Sequence, residues 1–467
     1  MSASSASRAT PAPPKAQRRS YGRGARILSL GIASTGLLTF AYFSIASHVL
    51  GEASAKRVDL LWSVMFVIIS VIYRPIEQLL SRTIAGRRAR GHEQHTLRVP
   101  MLIQGSFAAV FLALALGLKD QLLSVFDHDE ALYWILVVGT LAYAASYFAR
   151  GWLAGHERFA LFGGLVLMES FSRLCFALAV AVGIASGETA VALGIAAAPL
   201  VSLVVVPAAF ARRGGRDPSQ IAQDAPITVD EADAALAGPG TEGVQETAAH
   251  DSLSLRRGGG FAIWVSAIML SEQTLLNAGV LTVDATAKDA ALAGIVFNVL
   301  LIARAPLQLF QAIQTSLLPH LTGLEATAGH AAFARAIRIT VLAIAAFAAA
   351  VAIGLLVIGP FVMQHVLFGQ HYEYGRWGLA LIGVGMGLHL TSGALNQAAL
   401  ARDRARAAAA CWLLAAVVFV GWMFSPAISD QVLRAEVGYA GAAGLLAAAL
   451  TLLYRRGAPS RAATIAA

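Results

Sequence analysis

IYRPIEQLL, residues 72–80, and IARAPLQLF, residues 302–310, close two long apolar runs that stand 230 positions apart. Across that offset Arg74 answers Arg304 and Gln78 answers Gln308. A second echo aligns AGHERFA, residues 154–160, with LARDRAR, residues 400–406, and matches Glu157 with Asp403 and Arg158 with Arg404. The chain reads as two related halves, and a polytopic membrane protein built from internal repeats is most often a transporter.

Composition fixes the broad class. Of 467 residues, 57% are hydrophobic and 13% charged, whereas a soluble domain carries roughly 25% charged residues. Twelve apolar runs, 26–50, 58–80, 98–118, 131–149, 159–184, 189–210, 259–282, 289–312, 334–358, 375–398, 406–425 and 435–454, each reach the roughly 17 residues that a spanning helix needs. Backbone groups in lipid must be satisfied within the segment, so the expectation is an all-α polytopic membrane protein with two six-helix lobes and a central cavity. The corresponding divisions are a basic tail over 1–24, an N-lobe over 25–210, a linker over 211–258, a C-lobe over 259–454 and a second tail over 455–467.

Charge sets the expected orientation. With alternating connections, 26 of the 35 Lys and Arg residues share the side of the N-terminus, six face the opposite side and three lie deep within spans. The six are Lys56, Arg57, Lys119, Lys288, Arg376 and Arg434. The positive-inside rule then makes both termini cytoplasmic in a cell membrane. The net charge of +8 reflects this topology, so the expected partners of the basic loops are membrane lipids and not nucleic acid. The Ser-, Ala- and Pro-rich tail has no apolar face and reads as disordered, and the first run is a signal anchor, too long for a cleaved signal. The linker carries Asp224, Asp230, Glu231, Asp233, Glu242 and Glu246 among Gly, Pro and Ala. It reads as a solvated spacer, with an interaction tail as the alternative.

Function is sought in charges within the spans, where an ionised Arg or Asp costs about 2.5–3.5 kcal/mol on insertion scales. Arg74, Arg173 and Arg304 are joined there by Glu77, Glu169 and Glu272. Glu77 follows Arg74 by three positions and Glu169 precedes Arg173 by four, so each pair can neutralise itself on one helix face. Arg304 has no acid three or four positions away; it either binds an anion or pairs with Glu272 across helices. Arg74 and Arg304 sit about 9–12 Å below the cytoplasmic surface at about 1.5 Å per residue. A guanidinium there can grip a diphosphate with two parallel hydrogen bonds. Pro75 and Pro306 are expected to bend their helices beside these arginines. Gln78, Gln308 and Asn298 are candidates for polar groups of a substrate, or they tie neighbouring helices together. His389, an imidazole within a span, is the candidate for proton coupling.

Twelve spans in a six-plus-six repeat, the turn RGWLAGHERFALFG (150–163) and its degenerate partner NQAALARDRARAA (396–408) resemble the multidrug/oligosaccharidyl-lipid/polysaccharide exporter superfamily. Within it, the likeness is to the polysaccharide, Wzx-type, flippase branch. The resemblance implies two lobes rocking about a cavity and moving a polyprenyl-diphosphate-linked glycan from the inner to the outer leaflet. Such a transporter takes no cofactor, and the resemblance implies polysaccharide-assembly proteins as partners docking on the cytoplasmic linker.

Other chemistries are set aside. No G-x-x-x-x-G-K-[ST] sequence is present, so no P-loop ATPase is expected. Cys175 and Cys411 lie far apart in apolar runs and form no disulfide or metal framework. The triple glycine 258–260 has no strand before it and reads as a hinge. A cation-coupled multidrug exporter shares the architecture but wants an acid in the first span, and ILSLGIASTGLLTFAYFSIA (27–46) has none. A membrane-embedded glycosyltransferase would need paired surface carboxylates and a sizeable outer loop.

Overall fold

The computed structural model describes residues 34–91, 97–204, 254–286, 291–327, 329–367 and 374–456. The N-terminal tail, most of the acidic linker and the second tail beyond Arg456 therefore lie outside the described residues. Fourteen helices account for the described chain, and no strand occurs among the described residues. In the first half they are α1 (34–49), α2 (Glu52–Ile72), α3 (Arg74–Ala89), α4 (Arg98–Gly117), α5 (Lys119–Val125), α6 (Glu130–Gly155), α7 (Phe159–Ala181) and α8 (Gly187–Ser202). The second half contains α9 (Leu255–Thr286), α10 (Ala291–Thr327), α11 (Gly329–Phe361, ending in a π turn), α12 (Arg376–Ala401), α13 (Ala405–Met423) and α14 (Gln431–Arg456). Within the described residues, every one of the twelve apolar runs falls in one of these helices or in the α2–α3 pair.

Two departures are local. The second run is broken at Tyr73, and α3 restarts at Arg74 with Pro75 in its first turn, because proline cannot donate to the carbonyl four residues back. Around Pro306 there is no such break, and α10 continues as one helix through both Pro306 and Pro319. The triple glycine is no hinge: α9 begins before it at Leu255, and Gly258 N–H donates to Ser254 C=O at 2.9 Å.

Each half has its own apolar core. In the first, Tyr42, Leu61, Met65, Phe126, Leu136 and Ile195 pack together, and Tyr42 Oη donates to Val191 C=O at 3.0 Å, tying α1 to α8. In the second, α12 is the central helix: 72% of its most apolar window is buried, against 6% for the lipid-facing α11. Small residues let helix backbones approach, the main attraction left when lipid is as apolar as the side chains. Gly383 and Gly387 of α12 sit against Ala352 and Ala348 of α11, while Gly385 turns toward Ala440 of α14. In the first half, Gly151 and Gly155 of α6 lie directly on α3. A Cβ at position 151 would stand 2.9 Å from the Glu77 carbonyl, and one at 155 would stand 3.1 Å from that of Ser81.

The sequence echo at 154–160 and 400–406 is a structural repeat. Glu157 has φ 57° and Asp403 has φ 60°. In the first turn, Arg158 N–H donates to Leu153 C=O at 2.8 Å; in the second, Arg404 N–H donates to Ala399 C=O at 2.9 Å. Each helix thus ends in the same left-handed cap with its six-to-one hydrogen bond.

Candidate functional site

Ion pairs sort into two surface layers and one buried layer. At one end of the first half, Arg57 bridges Glu188 at 2.8 Å and Asp127 at 3.3 Å. At the other end of the molecule, Asp403 accepts from Arg82 at 3.0 Å and from Arg257 at 2.6 Å. Arg82 lies on α3 in the first half, whereas Arg257 and Asp403 belong to the second, so this carboxylate latches the two halves together. Burial acts to raise the Asp403 carboxyl, but the Arg82 and Arg257 guanidinium groups outweigh it and hold it below the usual carboxylate range. Ile76 and Leu79 of α3 and Ile103 of α4 join the apolar cluster of the second half close to this end. The topological counterpart of Asp403, Glu157, lies in electrostatic reach of His320 on α10.

The buried layer in the first half differs from the pairing expected of the sequence. Glu169 does not meet Arg173. It accepts from Ser146 and from Arg150, one turn apart on α6, with Ser202 at 3.5 Å. Arg150, counted in the sequence among the cytoplasmic loop residues, is therefore a fourth deep arginine, its side chain 11% exposed against 3% for Glu169. It lies one residue beyond the apolar run, but α6 continues to Gly155 and carries it inward. The face of Tyr147 covers it at 4.5 Å.

Arg173 is left without a carboxylate within ion-pair distance among the described residues. Its guanidinium is 4% exposed, stacks at 4.4 Å over Trp62, and donates to Ser170 Oγ at 2.8 Å, Tyr143 Oη at 3.2 Å and Thr39 Oγ1 at 3.4 Å. Its Nε has no partner. Glu77 is buried and Arg74 half-buried, and they form no ion pair with each other. Glu77 stands in the field of Arg150 first and of Arg74 second. Arg74 also acts on Tyr147 in its own half and on Glu272 across the interface. Gln78 is half-buried, with Oε1 unpartnered.

In the second half, Glu272 faces His389, with Oε1 3.9 Å from Nε2. His389 is 1% exposed and has Tyr439 Oη 3.3 Å from Nδ1, while Trp412, edge-on to its ring, donates to Asn396 Oδ1 at 3.2 Å. The side chains of Asn298, Arg304 and Gln308 lie outside the described residues, although α10 passes through all three positions. Sequence reading also missed Glu436 on α14. This acid is 6% exposed and seated against Gly378, where any Cβ would come within 2.0 Å of its carboxylate. The signal was an acid within one of the twelve spans.

What assembles is an array of guanidinium and carboxylate groups walled by Tyr42, Tyr73, Tyr143, Tyr147 and Trp62, opposite a Glu–His–Tyr cluster. Such an array can bind a charged group and exchange partners between lobes. No group of three or more His, Cys, Asp or Glu side chains suited to a metal ion occurs among the described residues.

Solved structures show the fold to be that of multidrug and toxic-compound extrusion (MATE) transporters of the MOP superfamily. A mutant of the Vibrio cholerae MATE transporter VcmN superposes with a TM-score of 0.72 at 13% identity, over 94% of this chain and 97% of that one. An outward-facing multidrug resistance MATE transporter gives 0.69 at 15% identity, over 94% and 95%. A MOP superfamily transporter from Pyrococcus furiosus, for which reverse polarity of the binding pocket suggests a different function, gives 0.68 at 13% identity, over 94% and 95%. No protein-family model and no curated protein sequence matches the chain. The chain is thus a multi-pass membrane protein with a transporter fold.

Proposed function

We propose that the chain is an alternating-access flippase that moves a polyprenyl-diphosphate-linked sugar or polysaccharide precursor from the inner to the outer leaflet for cell-envelope polysaccharide biosynthesis. The observation that carries this reading is Arg173, a buried guanidinium held over an indole by three hydroxyls and lacking a carboxylate partner. Desolvating such a charge is expensive unless an anion completes it. With Arg74 and Arg150, it gives the first half's interior three guanidinium groups against the two carboxylates of Glu77 and Glu169. Arg304 and the amides Gln78, Gln308 and Asn298 are proposed to extend the grip toward diphosphate and sugar. No nucleotide site is required, because an anion leaving a negative interior gains roughly 2.3 kcal/mol per charge per 100 mV. The fold of the Pyrococcus furiosus transporter is a precedent for pocket polarity varying within this architecture.

In this reading both termini and the Asp403 latch face the cytoplasm, and the described state is closed on that side. Cysteines placed at Asp127 or Ser186 should react with an impermeant thiol reagent outside intact cells, and a cysteine at Gly240 should not. Labelling at Gly240 would invert the assignment.

A second reading, cation-coupled export, is favoured by one feature: Glu272 and His389 form a buried carboxylate–imidazole pair, with Oε1 3.9 Å from Nε2. Vesicles containing the purified protein separate the two. Translocation of labelled lipid-linked sugar should be lost in Arg173→Gln and only partly restored in Arg173→Lys, with melting temperature unchanged or raised. Full translocation by Arg173→Gln would remove this residue from the site. Proton-driven efflux of an organic cation without lipid translocation would establish the exporter.

A further inference from the structure

Beside the latch, the start of α9 and the start of α13 enclose a cavity of about 340 Å³ lined chiefly by Arg256, Arg257, Phe261, Trp264, Asp403 and Arg406. Its charges are unequal. Asp403 is engaged by Arg82 and Arg257, whereas Arg256 and Arg406 are exposed and form no ion pair or hydrogen bond among the described residues. Arg406 lies 5.7 Å over the Trp264 ring. The cavity also lies at the N-terminal end of a 32-residue helix, whose Arg257 N–H is capped by Ser254 Oγ at 3.2 Å, and the positive end of the helix dipole favours an anion. The same stripe of α9 then changes character. Counting from Arg256, a step of seven leads to Ile263, 56% exposed, and another seven to Leu270, 52% exposed.

A basic, indole-walled pocket at a membrane surface, continued along one helix by an exposed apolar stripe, matches an amphiphile whose anionic group is at one end. We propose that this cavity binds the phosphate of an anionic phospholipid between Arg256 and Arg406, with its acyl chains lying along Ile263 and Leu270. A soluble phosphate would use the arginines but not the stripe. The site is independent of the substrate assignment, since it lies on the surface of the second half and uses none of the residues proposed to grip the carried lipid.

The test uses the purified full chain in neutral detergent, titrated with phosphatidylglycerol, phosphatidylcholine or inorganic pyrophosphate. Native mass spectrometry reads bound lipid, and a thermal melt reads stability. Phosphatidylglycerol should be retained in preference to phosphatidylcholine and should raise the melting temperature. In the double variant Arg256→Gln, Arg406→Gln, retention should weaken by at least about tenfold, the loss expected for two charge-assisted hydrogen bonds. Both residues are exposed, so the lipid-free melt of the variant should match that of the parent. Equal phosphatidylglycerol binding by variant and parent, or equal binding of the two lipids, would overturn the proposal. Stabilisation by pyrophosphate matching that by phosphatidylglycerol would replace the lipid with a soluble anion.

Discussion

Replacing Arg150 with Gln should be among the most damaging single changes in the first half, and the pair geometry sets its size. Arg150 and Glu169 are buried at 11% and 3% side-chain exposure. Removing one partner strands a carboxylate that retains Ser146 and Ser202 but has no other cation within ion-pair distance among the described residues. Breaking such a pair costs about 3–5 kcal/mol, whereas replacing both members with apolar residues of similar volume is often neutral or better. For a cooperative unit of six helices, each kcal/mol is worth roughly 2–4 °C, so Arg150→Gln should melt roughly 10 °C below the parent in detergent. Arg150→Met combined with Glu169→Met should recover most of that loss while abolishing transport. If the double variant melts as low as the single one, the two charges are not paired, and the account of this layer is wrong.

Three further substitutions test the packing of the helices. Asp403→Asn should weaken closure by about 1 kcal/mol, as expected for a partly exposed bridge. A carboxyl depressed in the folded state contributes fully above its unfolded value of about 3.9 and loses its effect only as pH falls through the lower folded value. The difference between parent and variant in a cross-interface distance measurement should therefore stay constant from pH 5 to 8; a change near neutrality would show that another group governs the latch. Gly151→Val drives a side chain against the Glu77 backbone and should cost about 1–3 kcal/mol of stability by overpacking. Gly421→Ala, where a Cβ meets nothing within 4 Å, should not lower the melt.

The twelve spans were legible because lipid demands long apolar runs, and the repeat was legible because the two caps need an acid-bearing left-handed turn at matching places. Pairing was not legible. Spacing of three or four residues invited Arg74–Glu77 and Glu169–Arg173, yet Glu169 found its base on the neighbouring helix. Linear sequence gives a residue's neighbours along its own helix and is silent about those across. Arg150 was misplaced because hydropathy locates the end of an apolar run and not the end of the helix. Glu272 likewise found His389, 117 positions away, a distance at which no periodicity speaks. Arg257 looked like one more topogenic charge until the turn at Asp403 came beside it.

The glycine contacts between α3 and α6 have a mechanical consequence. Gly151 rests on the backbone of Glu77, and Gly155 on the Ile84 side chain and the Ser81 carbonyl, so little space remains between the helices to absorb a displacement. Arg82 stands one residue beyond that seam and Arg150 one residue before Gly151. The two helices therefore behave as a stiff lever with the surface latch near one end and the buried guanidinium–carboxylate pair near the other. Any swing that frees Arg82 from Asp403 carries Arg150 with it, so opening at the surface and rearrangement in the interior occur as a single stroke.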